Sequence, residues 1–137
     1  MYLLDTNIIS ELRKPRPHGG VLAWLESIND SELFLSAVSL AEIQAGIELT
    51  REQDSDKAMH IENWLELVAN AYNILPMDAT TFREWARIMH RKSDTLYEDA
   101  MIAATARIND LTVVTRNVAD FKTLGVVVFN PFDPVGT

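Results

Sequence analysis

The sequence predicts an α/β protein in which a parallel sheet is covered on both faces by helices. Three observations carry this. Short apolar runs alternate along the chain with stretches whose apolar residues recur every three or four positions. Most of the runs are continuously apolar rather than alternating with polar residues, as strands buried on both faces require. A length of 137 residues, 47% hydrophobic and 23% charged, with no repeat and no linker, suits a single domain spanning 1–137.

The elements follow in order. Residues 2–4 open a first strand, and Ile8, Ile9 and Leu12 then fall at helical spacing until Pro15 and Pro17 stop them. Val21, Leu22, Trp24, Leu25 and Ile28 make one apolar helix face. The run LFLSAV at 33–38 reads as a second strand, followed by a long helix from Ser39 with Ile43 and Ile47 a turn apart. Ala58, Ile61, Leu65 and Val68 mark another helix over 54–70. YNILPM at 72–77 is a third strand, and Asp78 caps a helix carrying Phe82, Trp85, Ile88 and Met89. YEDAMIAATARI is helical and rich in small residues that permit close packing on a sheet. LTVVT at 111–115 and VVVF at 126–129 complete five strands.

Composition removes several function classes. A net charge of −8 argues against nucleic-acid binding through a broad basic face, and makes a basic protein partner plausible. The chain lacks cysteine, which rules out disulfides, thiolate zinc sites and a cysteine nucleophile. No apolar run approaches the roughly 20 residues of a membrane span, and the first residues lack a secretory pattern. A cytoplasmic protein is the expectation.

In an open parallel sheet the strands end at one edge, and ligands sit there. Asp5 directly follows the first strand. Glu42 lies near the start of the helix after the second, Asp99 near the start of its helix, and Asp120 shortly beyond the fourth strand with Asn117 closer still. Each has a structural reading. Asp5 or Thr6 can cap a helix, Ser39 and Glu42 fit an S-x-x-E capping box, Asp99 suits a helix dipole, and Asp120 can cap a short turn. Four converging carboxylates are harder to explain as caps, because they repel one another and lose hydration together. A hard divalent cation, which takes oxygen ligands, relieves that repulsion and can activate water against a phosphodiester.

Four segments, LLDTNIISEL, LSAVSLAEIQAGI, YEDAMIAATA and VVTRNVADF, resemble in order and spacing the motifs of PIN-domain ribonucleases. They are most similar to the VapC toxins, particularly the FitB-like branch, and the resemblance runs from residue 1 to about 132. It implies a PIN-like three-layer α/β/α sandwich with a central five-stranded parallel sheet. Asp5, Glu42 and Asp99 match acids that hold Mg²⁺ or Mn²⁺. Asp120 is carried over as the fourth acid, with Asn117 as a polar alternative, and Thr6 and Thr115 match supporting hydroxyls. The implied protein is the toxin of a type II toxin–antitoxin pair, a metal-dependent endoribonuclease acting on RNA, often tRNA. Its implied partner is a VapB/FitA-like antitoxin whose C-terminal segment covers the acidic site. The resemblance also implies a homodimer that contacts DNA only through the antitoxin.

Other features are weaker. The helix faces at 21–28 and 61–68 are either ordinary core or a dimer or antitoxin surface. Arg13, Lys14, Arg16, Arg91, Lys92 and Arg116 read as a solvated surface or as phosphate contacts, and His18, His60 and His90 have no ligand-like spacing. A haloacid-dehalogenase-type phosphatase needs a second acid where Asn7 stands, and a receiver domain needs an acidic pair and a late lysine. A catalytically silent PIN-like binding module is the remaining alternative.

Overall fold

Polar side chains at strand ends decide where the helices begin. In a computed structural model, which describes residues 1–134, β1 (Tyr2–Leu4) passes into α1 (Thr6–Leu12) at Asp5, whose Oδ1 accepts the Thr6 N–H at 2.7 Å. Strand β2 (Leu33–Ser36) passes into α3 (Ala37–Arg51) at Ser36, whose hydroxyl accepts the Val38 N–H at 3.0 Å. The run 33–38 is therefore cut two residues short of the sequence expectation, and the helix starts before Ser39. That overturns the capping box. Ser39 already lies inside the first turn and is fully buried, and Glu42 sits in the second turn.

Between them, α2 (Gly19–Glu26) is capped by His18, whose Nδ1 accepts the Gly20 N–H at 3.1 Å, giving this histidine a structural role. Helix α4 (Ser55–Ala71) is capped by Asp54 and leads to β3 (Asn73–Leu75). Helix α5 (Ala79–Met89) starts at Asp78, as expected, through a 2.9 Å bond from the Thr81 N–H. Then come α6 (Tyr97–Asn109), β4 (Thr112–Val114), α7 (Val118–Thr123) and β5 (Val128–Phe129).

The five strands form one all-parallel sheet in the order β3-β2-β1-β4-β5. Leu4 is paired with Leu35 on one side and Val114 on the other. Alternation along the pleat divides the core in two. Leu3 and Val113 face α5, α6 and α7, packing with Ile88, Ala103 and Phe121. Leu4, Leu35 and Val114 face α1, α2 and α4, packing with Ile8, Val21 and Val68. This is the three-layer sandwich the resemblance implies. Four fully buried alanines of α6, at 100, 103, 104 and 106, let it lie close on the sheet. Truncating Leu3 or Leu4, both wholly buried, to alanine would cost about 2–5 kcal/mol.

The apolar faces at 21–28 and 61–68 turn inward. Val21 and Val68 belong to the core under the sheet, and Ile61 and Leu65 join Ile47 in a smaller core between α3 and α4. Core packing thus holds Val21, Ile61, Leu65 and Val68. Among the described residues no helix is long and apolar enough to cross a membrane.

Candidate active site

Strand order reverses at β1. The chain steps outward to β2 and β3 on one side, then crosses to β4 and β5 on the other. The crevice between the carboxyl ends of β1 and β4 is therefore the place where an open parallel sheet holds ligands. Asp5 and Thr115 are the first residues past those two strands, and Thr115 Oγ1 donates to Asp5 Oδ2 at 2.8 Å.

Asp5 is held on every side. Asn7 Nδ2 donates to its Oδ2 at 3.1 Å, while Oδ1 caps α1. With 5% exposure, burial pushes its carboxyl above the usual range, against the lowering effect of the bonds from Thr115 and Thr6. Of the two candidate caps, Asp5 and Thr6, the helix start falls to Asp5. One carboxylate does both jobs, capping with Oδ1 and facing the crevice with Oδ2.

Glu42 arrives from α3. The Thr6 hydroxyl is shared between Ser39 Oγ at 2.8 Å and Glu42 Oε1 at 3.1 Å, tying α1 to α3. Burial pushes Glu42 up to about 7, the Thr6 bond opposes this, and the charges of Asp5, Glu98 and Asp99 add to it. Asp99, in the first turn of α6, is raised to about 6 by burial first and then by Asp5, Asp120 and Glu98. Asn117 Nδ2 donates to Asp99 Oδ2 at 3.2 Å and to Asp120 Oδ2 at 3.0 Å. Asp120, exposed on α7, thus stands beside Asn117 rather than in its place. The backbone N–H of Asn117 in turn donates to Thr115 Oγ1 at 2.9 Å.

The structure thus brings together all seven residues singled out from the sequence: Asp5, Thr6, Glu42, Asp99, Thr115, Asn117 and Asp120. It adds three. Ser39 supports Thr6, Asn7 orients Asp5, and Glu98 adds a further negative charge. Asn7 and Glu98 adjoin motif residues, so proximity in sequence was a usable signal, whereas Ser39 was hidden behind its apparent cap role. As they stand, no three acidic or histidine side chains among the described residues are gathered into a metal cage. The hydrogen bonds explain it: Glu42 is turned to Thr6, and Asp99 and Asp120 share one amide. The donor set is nonetheless all carboxylate oxygen, mutually repelling and partly desolvated, which suits a hard divalent cation.

The PIN domain family profile matches residues 2–126. The chain belongs to the PIN-domain family of VapC ribonuclease toxins. It is 37% identical to Toxin FitB of Neisseria gonorrhoeae, over 96% of this chain and 99% of that one. Similarity to VapC ribonuclease Y4jK of Sinorhizobium fredii is 35% identity, over 98% and 99%. A solved structure of FitAB bound to an IR36 DNA fragment superposes with a TM-score of 0.83, at 35% identity, covering 96% of each chain.

In this PIN domain the acids lie on an open edge, and Glu42 alone of the four lines a cavity beside it. A cavity of about 300 Å³ starts at Thr6 and Glu42 and runs between α1 and α3 to Trp64. A larger one, about 550 Å³, lies further out and shares Arg13, Ile61 and Trp64 with it. The larger cavity contains none of the four acids, and the smaller one matters because Glu42 forms its inner end.

Proposed function

We propose that this chain is a toxin of a toxin–antitoxin pair, cleaving RNA phosphodiester bonds with Mg²⁺ or Mn²⁺ held by Asp5, Glu42, Asp99 and Asp120. One observation carries the reading: carboxylates from four distant segments line the edge at the switch point of the sheet, where burial first and then neighbouring acidic charge hold Glu42 and Asp99 above the usual carboxylate range. When bound, the cation supplies Lewis-acid activation of a water and of the scissile phosphate.

The chain's own residues do the rest. Thr115 and Asn7 fix the rotamer of Asp5, so Oδ2 is presented at one angle. Thr6 steadies Glu42, and Asn117 spaces Asp99 from Asp120. With no cation present, burial holds the Glu42 carboxyl up at about 7, so it takes up a proton far more readily than a free glutamate. Charge neutralisation in the site releases that proton, which couples cleavage to pH.

The relatives' names extend the reading to a partner. An antitoxin segment fits the channel that leads from the outer cavity past Arg13 to Glu42, where a basic side chain would meet the acids. A homodimer, with DNA contact only through the antitoxin, belongs to the same reading. The catalytically silent alternative draws on Asn117, whose amide holds Asp99 and Asp120 in hydrogen bonds.

Purified protein freed of antitoxin decides between them. We expect cleavage of an RNA panel that includes tRNA with Mg²⁺ or Mn²⁺, arrest by EDTA, and arrest by added antitoxin. Absence of cleavage with either cation, in a folded protein, would leave the silent module.

A further inference from the structure

Four clustered acids in a chain of net charge −8 repel the polyanion that the ribonuclease reading supplies as substrate. A strand can lie along this edge only if some cation at its rim meets the backbone. Arg116 is placed there by the site itself. It directly follows Thr115, the partner of Asp5, and its backbone N–H donates to Asn7 Oδ1 at 3.3 Å. Its position is thus tied through Asn7 and Thr115 to the same carboxylate.

The side chain is also preorganised. The guanidinium lies over the ring of Phe132, with Cζ 3.9 Å from the centroid. Phe132 packs in turn on His18, with centroids 5.0 Å apart, and its own N–H donates to Asn130 Oδ1 at 2.9 Å. His18 is immobilised as the cap of α2. Stacking uses the face of the guanidinium and leaves its N–H donors spread in the plane, on an exposed residue. The charge of Arg116 also reaches Glu11, but Glu11 is already bound by Lys14 Nζ at 2.9 Å and by the His18 N–H at 2.9 Å.

Resting on the ribonuclease reading, we infer that Arg116, held flat on Phe132, is a contact for a backbone phosphate of the RNA strand beside the acid cluster. A flat guanidinium offers a phosphate two parallel N–H donors, and a ring beneath it fixes their direction. The competing role is structural, a cation–π staple that pins the segment around Phe132 and touches no ligand.

Labelled single-stranded RNA titrated into the full-length protein in EDTA, across a salt series, separates the two roles. Arg116→Ala should bind about tenfold more weakly. Its plot of log affinity against log salt should flatten by about 0.7, the loss of one phosphate contact. Arg116→Lys and Phe132→Leu keep the charge, so both should keep the wild-type slope while losing a few-fold in affinity. In cleavage assays with Mg²⁺ the loss should fall on KM rather than kcat. A broken staple would instead lower the melting temperature and leave the salt slope alone. An unchanged slope in Arg116→Ala overturns the inference, as does a wild-type protein that binds no RNA at low salt. A protein that binds RNA with an Arg116-dependent slope yet never cleaves it keeps the inference and removes the nuclease reading.

Discussion

On the β1 side of the edge, Asp5 is 5% exposed and accepts three hydrogen bonds, from Thr6, Asn7 and Thr115. On the far side of β4, Asp120 stands in solvent and shares a single amide, that of Asn117, with Asp99. Both are carboxylates at the same end of the same sheet. The first is held by three donors in a buried setting, and the second by one donor at the surface. A rigid carboxylate sets geometry, and a mobile one adapts to it. The two should therefore respond very differently to the same change of one oxygen for one nitrogen.

The largest effect is expected at Asp5. Asparagine caps a helix about as well as aspartate, so Asp5→Asn keeps the start of α1 while removing the charge and the acceptor that Oδ2 offers Thr115 and Asn7. RNA cleavage should fall at least about 100-fold. In EDTA the variant should melt at or above the wild-type temperature, because a buried charge and its repulsion of Glu42 and Asp99 are gone. Asp5→Ala should add the loss of the cap, about 1 kcal/mol. If Asp5→Asn cleaves RNA like the wild type and only Asp5→Ala loses stability, capping is all Asp5 does.

Thr115 comes next, because it is what makes the β1 side rigid. It is fully buried, donates to Asp5 and accepts the Asn117 N–H. Thr115→Val keeps the shape, removes one of the three bonds to Asp5 and strands the Asn117 N–H, at about 1–3 kcal/mol. Cleavage should drop about 10–100-fold, as for lost support of a ligand, and Thr115→Ser should restore most of it. If valine is tolerated in both assays, the rigidity of Asp5 does not depend on this bond.

Much of this contrast was legible in the sequence. The parallel sheet followed from continuous apolar runs, and the acids followed from asking what lies just past each strand. Asp5, Asp99 and Asn117 needed only chain order and one topological rule, whereas Thr115 came from the resemblance to PIN-domain motifs. What failed was local. Ser36 took the cap assigned to Ser39, because one hydroxyl at a strand end competes with another three residues on, and only the backbone geometry decides. That shift placed Glu42 a turn deeper, freeing it for the Thr6 contact. The choice between Asn117 and Asp120 was also open, since spacing along a short helix does not say that one amide can bridge two acids.

On the mobile side the expected changes are smaller. Asp120→Asn removes an exposed charge and should lower cleavage less than tenfold, because Asn117 still steadies Asp99. Asn117→Asp is the more telling change. It replaces the shared donor with a third carboxylate and should raise the Asp99 carboxyl beyond its present value of about 6. The cation concentration needed for half-maximal cleavage, measured for both variants, checks this. Equal losses in Asp120→Asn and Asp5→Asn would erase the distinction between a fixed and an adaptable ligand.

The smallest effect concerns stability and belongs to Glu42, which is intermediate in burial between the two extremes. Its folded-state pKa of about 7 lies above the ordinary 4.5, so the folded protein binds the proton more tightly than the unfolded chain. Stability of the cation-free protein therefore falls as pH rises through that window, and the penalty is complete above about 7. Glutamine cannot ionise and escapes it. In EDTA, Glu42→Gln should match the wild type near the lower end of the window and exceed it above the upper end. The advantage should be on the order of 1 kcal/mol, since the half-exposed carboxylate is screened by solvent. Asp5 and Asp99 are raised as well and steepen the curves of both proteins, so the difference between the curves, not either one, reports Glu42. Saturating Mg²⁺ should reverse the order at high pH by stabilising only the protein that keeps its carboxylate. If the two curves run parallel from acid to alkaline pH, Glu42 carries no strain, and the acids on the α3 side are spaced too widely to act as one site.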